Sequence, residues 1–180
     1  MLFRSGSLDA ATLVSLSPGS YTAHVTDVGS FGGLALAEVY DADSFSTAAL
    51  LTNFSLRTQV GSGASIPIAG FVVGGDLPSM VLIRGIGPAL TPFGVSGALA
   101  DPQLKIFNSA GNLIAANDNW GDIDPTSLAS TAQSVGAFAL PAGSRDAALL
   151  LRLAPGAYTA QLSGVANTTG VGLIELYAVP

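Results

Sequence analysis

Apolar and polar residues alternate through most of the chain. Within residues 49–60 the second half keeps a strict period of two. Phe54, Leu56, Thr58 and Val60 lie on one face, and Ser55, Arg57 and Gln59 on the other, which predicts a half-buried strand. Gly61-Ser62-Gly63 predicts a turn. Two apolar runs follow, at 66–73 and 80–86, closed by Gly74-Gly75-Asp76 and by Gly87-Pro88; both predict buried strands. Pro92, Gly94 and Gly97 interrupt residues 89–99, which predicts a short helical turn or loop. Residues 103–108 and 113–116 predict a hairpin whose five-residue turn, Asn108 to Asn112, holds a glycine able to take positive φ. Asp124 predicts a helix cap, with Pro125 at the first helical position and the helix running to about Gln133. The last strands fall at 147–153, 157–162 and 171–178. About eight short strands separated by turn signals predict an all-β chain: an antiparallel β-sandwich, jelly-roll or Ig-like, with one short helix. No strand–helix alternation suggests a parallel sheet.

One segment occurs twice. Asp9-Ala10-Ala11 returns as Asp146-Ala147-Ala148. Pro18-Gly19-Ser20-Tyr21-Thr22-Ala23 returns as Pro155-Gly156-Ala157-Tyr158-Thr159-Ala160, and Gly33, Leu36, Glu38 and Tyr40 return as Gly170, Leu173, Glu175 and Tyr177. All these pairs share an offset of about 137 residues without a gap, and roughly half the positions from 9 to 40 are identical. The expected organisation is therefore a C-terminal part of a truncated repeat at 8–43, forming a three-stranded remnant, then a complete sandwich module at 44–180. The short join is Asp41-Ala42-Asp43-Ser44. Residues 1–7 match nothing in the second copy and read as a non-native cloning scar. They include Met1 and Arg4 but no apolar run, so no signal peptide is read in this fragment.

Composition narrows the function classes. Hydrophobic residues make up 49% and charged residues only 10%, so a sizeable core is expected and disorder is not. The formal net charge is −6. Arg57, Arg84, Arg145, Arg152 and Lys105 are scattered, without the basic patch that neutralises phosphates, so nucleic acid is not an expected partner. No apolar run approaches the ~18 residues of a membrane helix, so membrane insertion is not expected either. The absence of cysteine removes disulfides, thiolate metal sites and cysteine nucleophiles.

Few residues suggest chemistry. Asn117, Asp118, Asn119, Asp122 and Asp124 crowd one loop and offer the oxygen donors that Ca²⁺ prefers. They lack the spacing of an EF-hand, and the plain alternative is a polar turn whose side chains bond their own backbone. A Ca²⁺ ion is the one cofactor the sequence suggests. Trp120, the only tryptophan, suits either a sugar-stacking platform or a plug at one end of the core. Tyr158 and Tyr177 recur as Tyr21 and Tyr40, which suggests packing. Glu175 alternates onto the face of Leu173 and Tyr177; it is either solvent-facing or paired with an arginine, for which Arg84 is the expected partner. His24 is the only histidine, and its counterpart is Gln161. A Ser-His-Asp triad therefore cannot be built from residues 44–180. Gly61-Ser62-Gly63-Ala64-Ser65 reads as a hairpin turn rather than a strand-to-helix elbow. No Gly-Lys-Ser/Thr marks a phosphate loop.

Residues 104–119, Leu-Lys-Ile-Phe-Asn-Ser-Ala-Gly-Asn-Leu-Ile-Ala-Ala-Asn-Asp-Asn, resemble the hairpin of bacterial pre-peptidase C-terminal domains. Leu153-Ala154-Pro155-Gly156-Ala157-Tyr158-Thr159-Ala160 resembles a later strand of the same domains. Residues 41–178 as a whole are similar to tandem modules, often labelled Ig-like, of large exported proteins of environmental bacteria. The resemblance implies a β-sandwich serving as an extracellular or cell-surface spacer, adhesion or binding module. The expected function is thus a non-catalytic structural or adhesive module. Its expected partners are neighbouring repeats of the same protein, with a surface glycan or protein beyond them. The alternative is a carbohydrate-binding or Ca²⁺-dependent binding module attached to a secreted hydrolase.

Overall fold

The computed structural model describes residues 9–29, 33–41 and 50–180. The chain divides into two units, Met1–Leu51 and Thr52–Pro180, a boundary somewhat later than the expected one between 43 and 44. Residues 1–7, most of the join at 41–44, and the start of the first expected strand at 49 lie outside the described residues.

The second unit is built from eight strands and one α-helix. The strands are β1 (Asn53–Val60), β2 (Ile68–Val73), β3 (Ser79–Ile86), β4 (Pro102–Asn108), β5 (Leu113–Asn117), β6 (Ala147–Leu153), β7 (Gly156–Gly164) and β8 (Gly170–Val179); the helix is α1 (Pro125–Ser134). Short 3₁₀ turns lie at Pro88–Phe93 and Trp120–Asp122. Local chemistry accounts for much of this. In β1 the alternating residues are the half-buried ones. In the β4–β5 turn, Asn108 Oδ1 accepts from the amides of Ala110 and Asn112, and Gly111 takes φ 77°, a region in which a Cβ would be strained. Asp124 accepts from Ser127 N at 3.1 Å, capping α1 as expected.

The strands form two four-stranded sheets, β1-β8-β3-β6 and β2-β7-β4-β5. β1 pairs with β8, β2 with β7, β3 with β6 and β4 with β5, all antiparallel. This is one long hairpin, rolled so that β3 also meets β8 and β4 meets β7. Eight strands in this order make a jelly roll. An immunoglobulin constant domain splits its seven strands four and three, so the jelly-roll half of the expectation holds and the Ig-like half is corrected.

The inner faces of the sheets enclose Val60, Val81, Ile83, Leu104, Ile106, Leu149, Leu162, Ile174 and Leu176. The outer face of the first sheet is covered too. There Leu82, Ala148 and Tyr177 pack with Trp120, Leu128, Ala132 and Ala137. Val81 through Ile86 are consequently all buried, which explains why β3 reads as a continuous apolar run rather than an alternation.

No strand ladder forms among the described residues of the first unit; the expected three-stranded remnant, at 8–43, also includes residues outside them. The jelly roll supplies the reason that the described ones form no ladder. Residues 9–40 correspond to β6, β7 and β8. In the second unit β6 pairs with β3, β7 with β2 and β4, and β8 with β1 and β3. These three strands never pair with one another.

Candidate functional site

The most concentrated charge in the second unit lies on the outer face of the first sheet. Arg84 and Glu175 are direct partners across β3 and β8, and they are 1% and 6% exposed. Arg84 Nε donates to Glu175 Oε2 at 2.8 Å, and Nη2 lies 2.6 Å from the same oxygen. Nη1 donates to the carbonyl of Phe138 at 2.6 Å. The guanidinium carbon sits 4.4 Å from the centroid of the Phe138 ring, an arrangement that favours the cation. Tyr177 Oη donates to Glu175 Oε1 at 3.0 Å. The expected Arg84–Glu175 pair is therefore present, and the solvent-face alternative is not. Arg84 Nε and Nη1 and both Glu175 oxygens are committed to each other, to a carbonyl and to a phenol, and so hold the covering segment on the sheet. No local pattern marked Phe138, which is positioned by the chain after α1.

Tyr177 carries the clearest electrostatic signature. Burial, then the charge and hydrogen bond of Glu175, push its phenol up to about 12, with Arg84 pulling the other way. An unfolded tyrosine ionises near pH ~10. A group with a raised folded pKa contributes stability that is intact below its unfolded pKa and is lost as pH climbs through the folded one. Stability is therefore expected to fall between pH 10 and about 12, and Tyr177→Phe to flatten that fall. Urea melts at several alkaline pH values check it; the same slope in both proteins would contradict this role for Tyr177.

The other candidates are placed differently. Trp120 is 8% exposed and belongs to the cluster beneath α1. Its indole Nε1 donates to Pro141 O and Ser144 Oγ, both at 3.2 Å, and its backbone amide donates to Asp146 O at 2.7 Å. The ligand-binding assignment of Trp120 is thus corrected: a ring buried in the core offers no face to a sugar.

The Asn/Asp loop, the expected Ca²⁺ site, is held largely by its own hydrogen bonds. Asn117 is buried, with Oδ1 accepting from Ala148 N at 3.0 Å and Nδ2 donating to Asn119 O at 2.9 Å. Asp118 Oδ1 accepts from Asn119 Nδ2. Asp124 is spent on the helix cap, and the Ser127 amide lowers its carboxyl pKa. Asp122 is exposed at the end of the 3₁₀ turn that Trp120 opens. Among the described residues no three histidine, aspartate or glutamate side chains are grouped where they could hold a metal ion together.

Asp146 is a residue that sequence reasoning passed over. It is fully buried, and its Oδ1 accepts from Gly87 N at 2.8 Å and Ala89 N at 3.3 Å. It fixes the turn after β3, where the backbone leaves the sheet. The identity of Asp9 and Asp146 in the duplicated segment was the available signal.

Tyr158 stacks on Phe71 at 5.6 Å, and its Oη donates to Ala154 O at 2.9 Å. A shallow cavity of about 370 Å³ nearby is lined by Phe107, Asn108, Ala157, Tyr158, Thr159 and Gln161 among others, and carries no carboxylate, amine or imidazole.

The duplicated residues repeat their bonds as well as their identities. Tyr21 Oη donates to Ser17 O at 2.7 Å, as Tyr158 does to Ala154. Tyr40 Oη donates to Glu38 Oε1 at 3.0 Å, as Tyr177 does to Glu175. The Glu38 bond and charge raise the Tyr40 pKa in the same direction. His24 is exposed. Compared with known proteins, the chain matches no family model and no curated protein.

Proposed function

We propose that this chain is a non-catalytic structural or adhesive segment of an exported or cell-surface protein built from tandem copies of the sandwich, similar to the exported bacterial modules its hairpin resembles. Neighbouring copies are its first partners. One observation carries the proposal: Tyr21, Glu38 and Tyr40 make the same local bonds as Tyr158, Glu175 and Tyr177. What the chain duplicates is thus a packing device. The strongest ionic group, Arg84 with Glu175, supports the same view, because each charge is neutralised by the other and by fixed neighbours.

Reading the coding sequence on both sides of this chain tests the proposal. Further copies at a spacing of about 137 residues are expected, with the Asp, Pro-Gly-x-Tyr and Glu-x-Tyr positions retained. A single copy joined to a catalytic domain would overturn it. Protease treatment of intact cells gives the second check, since a surface-exposed array should be trimmed and an internal protein should not.

A further inference from the structure

Residues 9–40 carry the pattern of β6, β7 and β8, yet no ladder forms among the described ones. Their apolar residues face solvent: Leu13 is 85% exposed, Leu34 92% and Leu36 69%. The second copy shows what covers these positions. Leu150 and Leu173, the counterparts of Leu13 and Leu36, are partly buried. Gly170 has no room for a Cβ, which would lie 2.7 Å from the Leu99 backbone, whereas no described atom comes within 4 Å of a Cβ on its counterpart Gly33. Glu38 has its tyrosine, but among the described residues no arginine faces it as Arg84 faces Glu175.

We propose that residues 9–40 are a strand-donating surface whose partner is the β1–β5 part of a sandwich of this same kind, with an arginine placed opposite Glu38. The proposal rests on the duplication that underlies the proposed function. Its physical basis is the rolled hairpin: each of β6, β7 and β8 is completed only by strands from β1–β4. Solvated leucines, and described residues that form no ladder of their own, suit such a segment to donate strands to a partner sheet. The tyrosine–carbonyl and tyrosine–carboxylate bonds are already set, so part of the ordering cost precedes binding. The buried arginine gives selectivity, because a partner lacking it leaves Glu38 desolvated and uncompensated.

The test refolds the full chain together with a probe polypeptide of residues 50–145 of this sequence and follows amide hydrogen exchange at residues 12–25 and 34–40. Exchange at those amides is expected to slow at least ~100-fold, as for core strands. A probe carrying Arg84→Glu should bind the native chain at least ~100-fold more weakly and recover on a full chain carrying Glu38→Arg. If the probe does not stay in solution, joining the same residues ahead of Asp9 in one polypeptide gives the same readout. Unchanged exchange at residues 12–40 would overturn the proposal. So would protection that appears without the probe, which would assign the surface to a second copy. Recovery that follows Glu175→Arg rather than Glu38→Arg would also overturn it, because the probe would then be entering the second unit. None of these outcomes alters the copy number in the coding sequence, on which the proposed function stands or falls.

Discussion

Arg84→Met is expected to destabilise the sandwich by about 3–5 kcal/mol, because it leaves Glu175 buried without its cation. The carboxylate keeps only the Tyr177 hydroxyl, and the carbonyl of Phe138 loses its donor. The covering segment would loosen along with the ion pair, since the guanidinium also stacks on the Phe138 ring. The double variant Arg84→Met/Glu175→Leu separates charge burial from packing. It should recover most of the loss, because replacing both partners of a buried pair by apolar groups is often near neutral. A residual deficit of ~1 kcal/mol is expected from the unsatisfied Phe138 carbonyl and Tyr177 hydroxyl. Urea denaturation of the single and double variants measures both numbers. If the double variant is as unstable as the single one, the arginine acts through its volume and stacking, and its charge is incidental.

Trp120→Ala is expected to cost about 3–5 kcal/mol, the usual range for removing a large buried aromatic. The indole fills the space among Leu82, Leu128, Ala132 and Ala148, where the small alanines leave little for the structure to collapse onto. Its Nε1 bonds to the Pro141 carbonyl and Ser144 hydroxyl hold the chain that returns toward β6. Trp120→Phe should lose less, about 1–2 kcal/mol, since much of the ring volume remains while those bonds go. As the only tryptophan, Trp120 is also its own reporter. Its native emission should resist acrylamide quenching and shift to the red on unfolding. A surface platform would behave oppositely, with free quenching and a substitution cost within ~0.5 kcal/mol.

Much of the second unit was legible along the chain. Period-two alternation located β1, and bounded apolar runs located β2 and β3, because a strand buried on one or both faces must show its burial in its residues. Asp124 and Pro125 marked the start of α1, and the glycine-bearing turn marked the β4–β5 hairpin, because caps and tight turns are decided within a few residues. The Arg84–Glu175 pair was foreseen from a weaker cue, a glutamate set between apolar neighbours. The loop residues were not resolved in the same way. Asn117, Asp118, Asn119, Asp122 and Asp124 have the right composition for an ion, but whether carboxylates converge depends on where the chain returns, and here Asn117 turns inward to β6.

The duplicated segment divides most sharply between what sequence and fold decide. Sequence alone established that residues 9–40 match the closing strands, since identity at a constant offset needs no coordinates. It also established that any core must be apolar and built from strands. Tertiary structure decided the pairing. Alternation specifies which face of a strand is buried but not which strand lies beside it, so jelly-roll and Ig-like orders carry the same local pattern. Only the register of β1 with β8, β2 with β7 and β3 with β6 shows that every ladder of the closing strands runs back to β1–β4. That is why three well-formed strand sequences show no ladder among their described residues: hydrogen-bonded pairing is a property of neighbours in space, and their neighbours come from the other half of the roll.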